Sequence, residues 1–165
     1  MIFASALGAG GFLWVALALI VSVFPARRAA AWRLLLTVGF TLLITDYVLK
    51  PIVERPRPFV VIADLPVIDG KPQSPSFPSG HVGRAVAGAI AGSRMLPGAG
   101  WVLWPIGAAV AISRVYIGVH WPTDVIAGAV IGLACAWFVL GGLRLRTFVG
   151  GKPDKGLPTE PRIAS

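Results

Sequence analysis

Apolar residues run in long blocks along this chain, and polar residues gather in the gaps between them. A membrane-crossing helix needs about 20 mostly apolar residues, because about 30 Å of hydrocarbon is covered at 1.5 Å per residue. Residues 4–24 and 125–143 meet that requirement without interruption, and residues 33–49 nearly do, with Asp46 close to their end. Residues 82–96 and 101–117 are shorter and rich in small side chains, among them Gly83, Gly88, Ala91 and Gly92. Small residues let helix backbones approach closely in lipid, so these two segments are expected to face other helices. The pattern predicts an all-α fold: a polytopic membrane helical bundle of about five transmembrane helices. Residues 1–149 would form one membrane-embedded domain. Residues 150–165, with Gly, Pro and charge but no apolar period, would form a mobile cytoplasmic tail. A removable leader is the other reading of residues 4–24. No basic residue precedes them, the apolar run is too long, and Arg27 and Arg28 follow it, so a retained span is expected.

Composition narrows the class further. With 56% apolar and 13% charged residues, neither a disordered chain nor an ordinary soluble domain fits. The net charge of +8 does not indicate a nucleic-acid partner, because the cations sit between apolar runs instead of along one polar face. A single cysteine, Cys135, excludes an internal disulfide and a thiolate metal cluster. If the five helices alternate, Arg27, Arg28, Arg33, Arg94 and the basic residues after 143 share one side, which the positive-inside rule makes cytoplasmic. The opposite side receives Met1, residues 50–78, residues 118–123, and most of the acids: Asp46, Glu54, Asp64, Asp69 and Asp124.

Three polar clusters fall on that opposite side. The first runs from Lys50 to Pro58 and contains Arg57; its prolines at 51, 56 and 58 are expected to end the second helix and force an extended path. Alone it reads equally well as a solvated basic loop. The second is Pro78-Ser79-Gly80-His81, where Ser79 is a good N-cap and Gly80 permits close backbone approach at a helix start able to hold an anion. Alone it reads as capping. The third is Ser113-Arg114 followed by His120 and Asp124. An arginine inside an apolar helix is costly unless paired or facing water. If the turn before Pro122 is helical, His120 and Asp124 stand at i and i+4, and the carboxylate can orient the imidazole. Alone this reads as an interfacial Trp-His pair with a dipole-complementing acid. Taken together, Lys50, Arg57, Arg114, a helix start and the only two histidines, His81 and His120, match a tetrahedral oxyanion site.

Lys-x6-Arg-Pro, Pro-Ser-Gly-His and Ser-Arg-x5-His-x3-Asp, in this order from Lys50 to Asp124, resemble the three signature motifs of the type-2 phosphatidic acid phosphatase family. The resemblance implies an acid phosphatase/vanadium haloperoxidase-like core and an integral-membrane lipid phosphate or diphosphate phosphatase. It further implies that His120 attacks phosphorus to form a phospho-histidine, that Asp124 orients it, and that His81 protonates the leaving oxygen. Lys50, Arg57, Ser79, Gly80 and Arg114 would hold the phosphoryl oxygens. No metal and no other cofactor is implied, since fixed cations supply the charge. The expected substrate is an isoprenoid diphosphate such as undecaprenyl diphosphate, followed by phosphatidylglycerophosphate and phosphatidic acid. The expected setting is the bacterial inner membrane, with the site on the periplasmic or extracellular side. Bacterial membrane members commonly have six spans; five are counted here, and the missing one would lie at the amino end.

Three further residues are candidates. Asp46 is in ion-pair register with Lys50. Arg84 is one turn beyond His81, in position for a second phosphate or headgroup, or for snorkelling to the interface. Ser113 would support Arg114. Trp121 and Tyr116 read as interface anchors, and residues 59–62 as a stretch lying on the membrane surface. Two other functions remain open: a phosphotransferase that passes phosphate or a phospho-headgroup to an alcohol, and a non-enzymatic anion carrier. The partners expected are the lipid substrate and membrane lipids, with a homo-oligomer left open.

Overall fold

The structure, a computed structural model, describes residues 11–68 and 70–149, with side chains followed as far as Gly141. Five long helices carry the fold: α1 (Phe12–Ser22), α2 (Arg28–Leu42), α3 (Gly80–Met95), α4 (Gly100–Tyr116) and α5 (Pro122–Val149). No strand occurs among the described residues. The expected tail at 150–165, the start of the first span at 4–10, and Asp69 lie outside the described residues.

Helix α3 is the centre of the bundle and packs on α2, α4 and α5, while α1 lies along α2. Its small side chains make this possible. A Cβ on Gly88 would enter the ring of Trp14, and one on Gly92 would come within 2.7 Å of Leu103. Trp14, Ala18, Leu34, Ala87, Ala89 and Ala136 sit in the resulting core. Helix α4 departs from the expectation of a helix turned inward. Of its residues only Leu103, Gly107, Val110, Ser113 and Arg114 are buried, and bulky Trp101, Trp104 and Ile112 point outward. The exterior is apolar elsewhere too: Phe12, Ile20, Trp32, Ile126, Trp137 and Phe138 are all exposed. Windows of mean hydropathy 1.5 within Pro25–Val61 and 2.0 within Pro122–Gly141 are long and apolar enough to cross a membrane. With 16 and 17 residues, α3 and α4 rise only about 24–26 Å, somewhat short of a full hydrocarbon core.

The second helix overruns its expected end. Proline 51 was expected to stop it, yet the chain continues from α2 through a π-helical stretch, Leu43–Leu49, into an α-helical turn, Lys50–Val53. An interior proline collides with the carbonyl four residues back. Here the Lys50 amide bonds to Thr45, five residues back, so the helix is already widened before Pro51. The helix closes at Glu54, which adopts a left-handed φ of 46°. Helix α2 also starts earlier than residue 33, at Arg28, after a 3-10 turn over Pro25–Arg27. A threonine ladder runs up its buried side. Thr37 donates to Arg33, Thr41 to Thr37 and Thr45 to Thr41, at 2.7–2.8 Å, and all three side chains are buried. Each hydroxyl is thus satisfied inside its own helix where water is absent. The last of them also reaches Asp46 Oδ2 at 2.9 Å, which leads from the core into the polar site.

Candidate active site

Distant parts of the chain meet where the end of the second helix, the start of α3, the end of α4 and the start of α5 come together. Lys50 Nζ pairs with Asp46, and Arg84 Nη1 pairs with the other oxygen of the same carboxylate. Arg84 is 5% exposed, so it does not snorkel to an interface; it is a buried counter-ion of Asp46. A Cβ on Gly80 would collide with this pair, so the glycine at the start of α3 makes room for it.

Ser79 stands at the N-cap position of α3, but its side chain makes no capping bond. The expected role as a cap is therefore corrected. The Ser79 carbonyl accepts the first helical bond, from Gly83 N–H at 3.0 Å, and the Ser79 amide donates to Asp124 O at 3.0 Å. The Ser79 hydroxyl is fully buried and has no hydrogen-bond partner among the described residues. Such an orphaned group is rare in a folded chain and calls for an explanation.

Arg57 is almost wholly committed to neighbouring loops. Its Nε donates to Ser74 O at 2.7 Å, Nη1 to Val119 O at 2.9 Å, and Nη2 to Ser74 Oγ at 3.1 Å and Pro75 O at 3.4 Å. This fork ties the first cluster to the segment before α3 and to the turn before His120. Arg114 is 4% exposed near the end of α4, where its Nε donates to Ser113 Oγ at 3.3 Å, and Ser113 in turn donates to Val110 O. Ser113 therefore supports Arg114. The His120 amide reaches the Arg114 carbonyl at 3.3 Å, which brings the third cluster back on itself. Lys50, Arg84, Arg114 and His120 all lie within electrostatic reach of His81.

His120 and Asp124 meet, though not as a helical pair. Helix α5 begins only at Pro122, so His120 is outside it. Its Nδ1 lies 3.6 Å from Asp124 Oδ2, beyond hydrogen-bond length. Ser76 stands beside both. Its hydroxyl donates to Asp124 Oδ2 and is 3.5 Å from His120 Nδ1. Asp124 also accepts from the Trp121 amide at 3.0 Å and from Arg55 Nη1 at 2.7 Å. The Trp121 contact is the reach of an N3 acid to the N-cap amide, which closes the start of α5. Trp121 is more than an interface anchor: its indole N–H donates to Pro56 O at 3.0 Å, and the Arg55 guanidinium lies 5.4 Å from its ring.

Burial is the main influence on the His120 imidazole and holds it below the ordinary histidine range. Asp124 pulls the other way, and the Arg57 charge adds to the lowering. The neutral ring is the form this environment favours. Among the described residues, no three His, Cys, Asp or Glu side chains are grouped so as to hold a metal ion.

Three residues that lie outside the expected set also stand at the site. Ser76 and Arg55 touch the His120–Asp124 pair, and Trp121 braces the loop above it. Arg55 had a faint signal, since Arg55-Pro56-Arg57-Pro58 offers two equivalent arginines. Ser76 had none, because it lies 48 residues from Asp124 in the chain.

Residues 30–147 match the family model of the PAP2 superfamily. The chain belongs to that superfamily. Among curated relatives, this PAP2 chain is 32% identical over 122 residues to an undecaprenyl-diphosphatase of Sulfolobus acidocaldarius, an alignment of 73% of the chain and 59% of the relative. It is 32% identical over 142 residues to a decaprenylphosphoryl-5-phosphoribose phosphatase of Mycobacterium tuberculosis, covering 81% of the chain and 74% of the relative. A solved transmembrane PAP2-type phosphatidylglycerolphosphate phosphatase from Bacillus subtilis superposes with a TM-score of 0.72 at 30% identity, over 88% of this chain and 75% of that one. The PAP2 chain thus spans only about three-fifths of the Sulfolobus relative's length. Family membership and the apolar exterior together make it a membrane protein.

Proposed function

We propose that this chain is an integral-membrane lipid phosphate or diphosphate phosphatase that works through a phospho-histidine. The orphaned Ser79 hydroxyl carries the reading. It is buried at the start of α3, where the first-turn amides have no intrahelical acceptor, and where Lys50, Arg114 and both histidines converge. A phosphoryl group supplies what that hydroxyl and those amides lack, namely acceptor oxygens.

In this reading the His120 Nε2 lone pair attacks phosphorus. The N–P bond forms as the bond from phosphorus to the leaving oxygen breaks, and His81 gives that oxygen its proton. Water then attacks the phosphoryl group, His81 takes the water's proton, and phosphate leaves His120 free. Lys50, Arg114, Ser79 and the Gly80 amide stabilise the charge spread over the equatorial oxygens. Arg57 adds positive charge while holding the loops.

The substrate proposed first is an isoprenoid diphosphate such as undecaprenyl diphosphate, then phosphatidylglycerophosphate or phosphatidic acid. The names of the Sulfolobus and Bacillus relatives support this class. So does the short helix Pro58–Val61 beside the site, which exposes Val60 and Val61 and continues to exposed Ile62, an apolar ledge for a lipid tail. The site would face the outer side of a bacterial inner membrane, with the carboxyl end cytoplasmic.

The test is phosphate release from a panel of purified lipid phosphates and diphosphates. Release from none of them, with the protein folded, would sink the reading. Chelation is a second check: treatment with EDTA should leave the rate unchanged, and a loss restored by a divalent ion would point to a metal-dependent reaction. The pH profile is a third. With the His120 ring held below its ordinary value, the reactive neutral form persists into mild acid, so the acidic limb of kcat/KM should fall below about pH 6.5.

A further inference from the structure

We propose that Ser76 is a positioning residue that fixes the tautomer of His120. Hydrogen bookkeeping at Asp124 carries the argument. Ser76 is fully buried, and its hydroxyl proton is directed at Asp124 Oδ2. An ionised carboxylate has no proton to give back. Ser76 Oγ therefore faces His120 Nδ1, at 3.5 Å, with lone pairs only. Asp124 Oδ2, at 3.6 Å from the same nitrogen, likewise presents only lone pairs. Two acceptors converge on one ring nitrogen, so that nitrogen must carry the hydrogen. The other nitrogen, Nε2, is left with its lone pair for phosphorus.

Ser76 is held in place for this task. Its own amide donates to Arg55 O at 2.8 Å, and Arg55 in turn grips Asp124 Oδ1 and Thr123. Carboxylate, hydroxyl and ring are thus one braced unit joining the segment before α3 to the start of α5. Asp124 alone, beyond hydrogen-bond length from Nδ1, would orient the ring weakly. The other charged groups facing the ring, Arg57 and Lys50, favour the neutral form but do not choose between its two tautomers.

The inference rests on His120 being the nucleophile proposed above, and its test is chosen to fail separately. The chain has two histidines, so 15N-histidine labelling gives two rings, assigned by a His81→Gln variant. In the detergent-solubilised protein the His120 ring should show a protonated Nδ1 and a bare Nε2. Ser76→Ala should turn this into a mixture of tautomers. It should lower kcat by roughly 10- to 100-fold with KM nearly unchanged, as misorientation of a reacting group does. Ser76→Thr, which keeps the hydroxyl, should restore the wild-type ring signals. An unaltered tautomer in Ser76→Ala would overturn the inference even if activity fell. A shifted tautomer in a protein whose His120 variant still hydrolyses lipid phosphates would leave it standing and sink the nucleophile assignment.

Discussion

Replacing His120 with alanine should lower lipid phosphate hydrolysis by about 10⁴-fold or more, as removal of a covalent nucleophile does elsewhere. Anion binding should largely survive, because Lys50, Arg114 and the start of α3 remain. Vanadate or inorganic phosphate titration of the variant, read by thermal stabilisation, would show this. The same pair of measurements separates an enzyme from an anion carrier, whose cation-lined path would keep its flux without the ring. The companion variant His81→Ala gives a sharper signature. If His81 protonates the leaving oxygen, its loss should matter little for an aryl phosphate whose leaving group needs no proton. The second step still needs its base, so a phosphorylated His120 should accumulate. Its N–P bond should be labile in acid and stable in alkali, unlike a phosphoserine. Absence of any such adduct in His81→Ala, with a good leaving group and rapid quenching, would argue for direct attack by water.

The three clusters were legible together, because an apolar chain has little reason to gather all of these groups on one side. Arginine 114 at the end of an apolar helix, and the only two histidines of the chain, are examples. Their meeting depends on features a one-dimensional pattern hides. Pro51 reads as a stop, yet the π-helical widening over Leu43–Leu49 carries the helix past it and sets Lys50 beside Asp46. The His120–Asp124 spacing suggests a helical pair, yet the helix begins after His120, and Ser76 stands beside both side chains. Ser79 has the residue type of a cap, but its hydroxyl is withheld from that task, and this is what leaves it available to a ligand. Arg84 illustrates the converse. Its spacing from His81 suits a second phosphate, a headgroup or snorkelling to the interface alike, while a carboxylate 38 residues away pairs with it.

The second large effect is expected from a position with no side chain. Gly128 and Gly132 lie one turn apart on α5 and press against the backbone of α3. A Cβ on Gly128 would collide with the Ser79 carbonyl, and one on Gly132 with the Gly83 carbonyl; in return, a Cβ on Gly83 would meet the Gly128 carbonyl at 3.2 Å. Neither partner atom is the end of a flexible side chain, so the helices themselves must part. Gly132→Ala should cost about 1–3 kcal/mol, and Gly132→Val more, seen as a lowered Tm in detergent. The loss of activity should exceed what the loss of folded protein explains. The Ser79 amide bonds to the Asp124 carbonyl across this same crossing. Parting the helices therefore separates the turn proposed to bind phosphate from Asp124 beside His120, and a displacement of about 1 Å can cost about 100-fold in rate. Gly39→Ala is the matched control, because that glycine is exposed on α2 and a Cβ there would touch nothing within 4 Å. It should leave activity intact and, through helix propensity alone, stabilise by up to about 1 kcal/mol. Equal behaviour of the two variants, measured as activity per folded molecule, would mean that the close crossing of α3 and α5 does not set the geometry of the site.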